Sequence, residues 1–65
     1  MEPKDFRRKR MSLGLTQVEL AEMLDIKSNT ISRYETGLLV IPKAIELALE
    51  AIEQRINRKD ADRED

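Results

Sequence analysis

Between Leu13 and Gly37 the chain places residues that end helices and residues that start them very close together. Only two short helices joined by a tight turn fit between them. Gly14 supplies the first stop, because glycine tolerates the left-handed backbone that ends a helix. Thr16 supplies the next start, and Glu19 three residues on completes a reciprocal capping box. Leu20, Ala21 and Leu24 then form an apolar stripe at i, i+1 and i+4. Asp25 occupies the turn, where a left-handed conformation costs an aspartate less than most non-glycine residues. Ser28 is placed to cap a second helix over residues 28–36, which buries Ile31 with Tyr34 alongside, and Gly37 closes it.

The flanking segments read the same way. Pro3 suits a first turn, so a helix is expected from about there to Ser12, with Phe6, Arg10 and Leu13 on one face. Pro42 suits the first turn of a fourth helix, in which Ile45, Ala48, Leu49, Ile52 and Ile56 keep a 3.6-residue period. The fold class expected is all-α, a compact bundle of about four helices. Residues 1–56 make one domain. Residues 57–65 alternate charges without an apolar anchor and are expected to fray. No repeat, linker or strand-like alternation interrupts this pattern.

Composition narrows the chemistry. The chain has 65 residues, near the lower end of what folds without staples. It has Cys 0 and His 0, so disulfides and the usual zinc sites are excluded and the core must be aliphatic. No metal or other cofactor is expected. Aromatic content of 3%, from Phe6 and Tyr34 alone, argues against a base-stacking RNA-binding surface. No apolar run approaches the ~20 residues of a membrane span, and no signal-peptide pattern is present. A cytoplasmic protein is expected.

The net charge of −1 conceals a strong polarity. Residues 1–10 carry Lys4, Arg7, Arg8, Lys9 and Arg10 against Glu2 and Asp5, and residues 27–43 carry Lys27, Arg33 and Lys43 against Glu35. The acids concentrate in residues 11–26 and from Ala44 onward. Attraction to phosphate depends on local potential, so a polarised molecule can still hold a polyanion.

In the central pair, Ala21 lets two crossing helices approach closely, and Ile26 and Ile31 set the rotation of the second. Lys27, Ser28, Asn29, Ser32 and Arg33 are then left facing outward. These side chains suit the major groove of DNA. Asn pairs bidentately with adenine, Arg with guanine, and Ser with base or phosphate. The run Gly14-Leu15-Thr16-Gln17, Leu20-Ala21, Leu24, Ile26, Ile31-Ser32 and Tyr34-Glu35-Thr36-Gly37 closely resembles the phage-repressor (Cro-like, XRE) helix-turn-helix family.

The resemblance covers about Phe6 to Ile52 and implies a lambda-repressor-like, DNA-binding domain. The outward row offers base contacts by Ser28 and Asn29, nearest the helix end that enters the groove first, by Ser32, and by Arg33, which has the reach for a base or a phosphate. The resemblance implies phosphate contacts by Gln17 and Lys43, and the first turns that hold Thr16 and Lys27 are further candidates. Arg10 and Glu35 match positions where an Arg–Glu pair links the first helix to the end of the third, with a phosphate contact by Arg10 as a further role. One position departs from the family: Asp25 stands where it usually has glycine.

Plainer readings stand beside these. Ser28 is equally a capping residue, and Asn29 and Arg33 taken alone would be a solvated face. Arg7, Arg8 and Lys9 read as exposed charge with some non-specific phosphate contact. Glu46, Glu50 and Glu53 form a solubilising face, and without His or a nucleophile they make no catalytic site. No enzyme is expected.

Leu38-Leu39-Val40-Ile41 is the second departure, since the family commonly has a basic or polar loop there. Ile41 and one neighbour can pack inward. The others cannot all do so, which makes Leu38, Leu39 and Val40 possible dimer contacts, with Ile52 and Ile56 as a competing surface.

The function expected is a sequence-specific regulator of transcription, most simply a repressor. It would be a homodimer at least on DNA, read an inverted repeat, and be prokaryotic or phage-encoded and nucleoid-associated. The competing function is a protein-interaction module, an antitoxin or adaptor, that uses the 38–41 loop.

Overall fold

The computed structural model describes the backbone of residues 1–63 and the side chains of residues 1–57. Four helices follow one another: α1 Pro3–Ser12, α2 Gln17–Leu24, α3 Ser28–Thr36 and α4 Lys43–Arg63. No strand occurs among the described residues. α2 packs chiefly on α3, α3 also on α1, and α4 makes a smaller contact with α2.

Every helix contributes to one core. Phe6 from α1, Leu20 from α2, Ile31 from α3 and Leu49 from α4 are completely buried. Ala21, Tyr34, Ile41 and Ile52 join them, and Leu13, Leu15, Leu24, Ile26, Ile45 and Ile56 pack around the rim. Burying each large aliphatic contributes about 1.5–3 kcal/mol. The Phe6 and Tyr34 rings meet edge to face at 5.7 Å, which ties α1 to α3 and adds roughly 1 kcal/mol beyond area burial.

The helix ends follow the residues that the sequence offers. Thr16 accepts from the Glu19 backbone N–H at 3.1 Å while its own N–H donates to Glu19 Oε1 at 2.8 Å, a complete capping box. Asp25 takes the left-handed conformation at φ 58° and ψ 45°. Gly37 ends α3 at φ 83°, and a β-carbon there would lie 3.7 Å from Pro3 Cγ. The position is strained for any side chain, while the contact with Pro3 would be an ordinary van der Waals one.

Three expectations need correction. Ser28 is the first helical residue of α3 and not its cap. Lys27 holds the extended cap conformation (φ −82°, ψ 147°), and its carbonyl accepts from Thr30 N at 3.0 Å and Ile31 N at 3.4 Å. The sharp Asp25 turn leaves only Ile26 and Lys27 before the helix, so it starts one residue earlier than a Ser28 cap requires. Pro42 likewise precedes α4: its carbonyl accepts from Ile45 N and Glu46 N at 3.0 and 3.1 Å, which makes Lys43 the first helical residue. Ile52 is buried within the protomer and offers no surface for dimerisation, because the α4 stripe is spent on the core. α4 also continues past residue 56 to Arg63 without a break. The expected fraying of the 57–65 tail otherwise lies outside the described side chains.

Candidate nucleic-acid interface

The outer surface of α3 divides into rows. Ile31 and Tyr34 face the core. Asn29, Arg33 and Thr36 are exposed and lie at i, i+4 and i+7, on one face. Ser28 and Ser32 are half-buried and share the neighbouring row with Glu35, whose side chain is nearly buried. Asn29 and Arg33 are therefore held outward by the burial of Ile31 and Tyr34 on the opposite side. Thr36 was not singled out from the sequence, although its i+7 spacing from Asn29 was the available signal. Its hydroxyl donates to the Arg33 carbonyl at 3.4 Å.

The start of α3 has no side-chain cap and no acid in its first turn. The Ser28 and Asn29 backbone N–H groups make no hydrogen bond among the described residues, and Lys27 stands exposed beside them. This end of the helix dipole is positive and open. At the start of α2, the Gln17 and Val18 N–H groups are likewise free, while the Glu19 carboxylate occupies the Thr16 N–H. Lys43 at the start of α4 is exposed, with Glu46 Oε1 at 3.9 Å, a loose surface pair that leaves it available.

Arg10 is placed differently from these cations. Its Nε donates to Glu35 Oε2 at 2.6 Å, its Nη2 to Glu35 Oε1 at 3.1 Å and its Nη1 to the Leu15 carbonyl at 2.8 Å. The side chain is 11% exposed. It is the expected Arg–Glu link between α1 and α3, with its charge spent inward. Glu35 Oε1 also accepts from Gln17 Nε2 at 3.2 Å, a contact no sequence signal pointed to.

The remaining features lie elsewhere on the surface. Arg7 and Arg8 are exposed on α1, while Lys9 pairs with Glu53 at 3.0 Å and the amino terminus with Glu46 at 3.5 Å. Leu38, Leu39 and Val40 are exposed, Val40 to 89%, and Ile41 is buried. Ile41 alone of the four packs inward, so three residues stand open where the expectation allowed Ile41 and one neighbour to be buried.

A family model described as helix-turn-helix matches residues 6–56. The chain belongs to the helix-turn-helix family. Within it, the match supports the Cro-like (XRE) group that the α2–α3 residues resembled. Comparison with curated proteins and with solved structures finds no match. As a helix-turn-helix protein it is of the DNA-binding, transcription-regulating kind, a family not typically enzymatic, and its partner is double-stranded DNA. Among the described residues no group of acids is placed to hold a metal ion, and no helix is long and apolar enough to cross a membrane.

Proposed function

We propose that this helix-turn-helix protein is a sequence-specific repressor that lays α3 in the major groove. The observation that supports this best is the pairing of Asn29 and Arg33, one turn apart and both exposed on the face opposite the buried Ile31 and Tyr34. Side chains so placed can reach base edges, Asn29 toward adenine and Arg33 toward guanine. Ser28 and Ser32, on the adjoining row, contribute shorter contacts.

In this reading Thr16, Gln17, Lys27 and Lys43 grip phosphate from the starts of three helices. Arg10, with its charge turned inward, acts chiefly by neutralising Glu35. Occupancy of the site then blocks polymerase. The protein is not an enzyme and works in the cytoplasm, on the nucleoid of a prokaryote or on phage DNA.

A single α3 covers few base pairs, so useful specificity needs two copies on an inverted repeat, with half-sites about one helical turn apart. The Leu38, Leu39 and Val40 loop supports a two-fold contact. Residues 36–42 contain no charged side chain in a chain that is 38% charged. A symmetric contact brings each residue near its own mate, and an uncharged loop avoids the resulting repulsion. Three aliphatic side chains fall well short of the ~800 Å² per partner of a free-standing complex, so pairing is expected on DNA and not in free solution.

Selection of binding sites from random duplex DNA tests the reading: an enriched inverted repeat is the expected result. The exposure of the same loop favours a second reading, an antitoxin or adaptor that uses it to hold another protein. Failure to bind any duplex at low salt would overturn the first reading in favour of the second.

A further inference from the structure

We propose that Glu35 is a positioning residue for Gln17, holding the Gln17 amide ready for a DNA phosphate before DNA arrives. The proposal rests on the reading that Gln17 meets a phosphate. Glu35 is almost fully buried, its side chain 4% exposed. A carboxylate only accepts hydrogen bonds, so the Gln17 side chain must turn its NH₂ end, not its oxygen, toward Glu35. One amide hydrogen is engaged there at 3.2 Å, and the other has no partner among the described residues. Because the amide is planar, fixing one N–H fixes the direction of its twin.

A free glutamine side chain loses substantial rotamer freedom when it binds. Here most of that ordering is complete in the unbound protein, which is the general route by which preorganisation strengthens binding. An uncompensated carboxylate so close to a phosphate would oppose its approach. Arg10 removes that objection with two hydrogen bonds to Glu35, and its third bond, to the Leu15 carbonyl, secures the segment that leads into α2. The backbone N–H groups of Gln17 and Val18 and the held side-chain N–H are thereby fixed by one network that joins α1, α2 and α3.

The test uses the full chain and a duplex of about 20 base pairs recovered from random-sequence selection, the span of two half-sites one helical turn apart. A single neutral methylphosphonate is then placed at each backbone position in turn. For the parent protein one position per half-site is expected where neutralisation lowers affinity about tenfold, and where it costs Gln17→Ala nothing. A variant combining Arg10→Met with Glu35→Leu removes both buried charges at similar volume, an exchange that folds commonly tolerate. It is expected to lose the dependence at that position while keeping the parent's base preferences, which a general loss of structure would not do.

In the free parent, ¹⁵N relaxation of the Gln17 side-chain amide should report restricted motion, and this measurement needs no substitution. The proposal is overturned if that amide is as mobile as an exposed glutamine, or if the double variant keeps the full dependence at the Gln17-linked phosphate. If Gln17→Ala leaves every position's dependence intact, the phosphate reading itself falls and the proposal falls with it.

Discussion

Gln17 opens α2 and Glu35 stands near the end of α3, yet across 18 residues of sequence their side chains meet at 3.2 Å. The contact sits where three elements converge, because Arg10 of α1 holds the same carboxylate at 2.6 Å. The groove-facing helix and the expected phosphate anchor are thus braced against one point, and their relative placement does not depend on loop stiffness alone. That arrangement separates residues expected to touch DNA from residues that hold them in place.

Backbone strain at the turn gives a stability prediction. Asp25 adopts φ 58° with no glycine to relieve it. Asp25→Gly should raise stability by up to about 1 kcal/mol, and Asp25→Ala should lower it by about the same amount. Urea unfolding of the two variants checks this. Equal stability for both would show that the turn stores no strain.

Breaking the buried pair should be far costlier. Arg10→Ala leaves Glu35 as an unpaired, nearly buried carboxylate and strips Leu15 of its donor. A loss of about 3–5 kcal/mol is expected, enough to unfold much of the population of a domain this small. Thermal melting followed by circular dichroism gives the answer. A shift of only a degree or two would place the pair among inconsequential surface contacts.

Gripping and reading should respond differently to substitution. Lys43 is exposed and loosely paired, so Lys43→Ala should weaken binding on every sequence alike and reduce the salt slope of affinity by about one. Fluorescence anisotropy across a salt series measures both quantities. A slope unchanged from the parent removes Lys43 from the interface.

Asn29→Ala and Arg33→Ala should each relax base preference at one position per half-site, at a cost of roughly 1–3 kcal/mol on the preferred site. Repeating site selection with each variant shows whether a position loses its preference. Variants that recover the parent's consensus would move the reading face to another row of α3.

The exposed loop yields the last expectation. Leu38 and Val40 are 76% and 89% exposed, so replacing both with Ser should change stability by no more than about 0.5 kcal/mol. Affinity for an inverted repeat should fall by more than affinity for a single half-site, because the linked second binding event is lost. Half-site and full-site titrations compare the two directly. Equal losses on both would mean that the loop makes no contact between copies.

Local chemistry carried most of the fold. Thr16 with Glu19, Asp25 and Gly37 each act on the backbone within a few residues, and helix starts and stops follow from such short-range effects. The apolar period named the core for the same reason, since Phe6, Leu20, Ile31 and Leu49 must share an interior whatever their partners. Outward placement of Asn29 and Arg33 followed once Ile31 was assigned inward. Where local rules were incomplete, the sequence was insufficient: it offered Ser28 as the cap of α3, and Lys27 holds that position because few residues are left after the left-handed turn. Ile52 illustrates the same limit, because its apolar character could not distinguish a core from a dimer surface until α4 was packed against α2. The Gln17–Glu35 contact belongs wholly to tertiary structure. A hydrogen bond between side chains on different helices depends on how those helices cross, and no periodicity within either helix records that crossing.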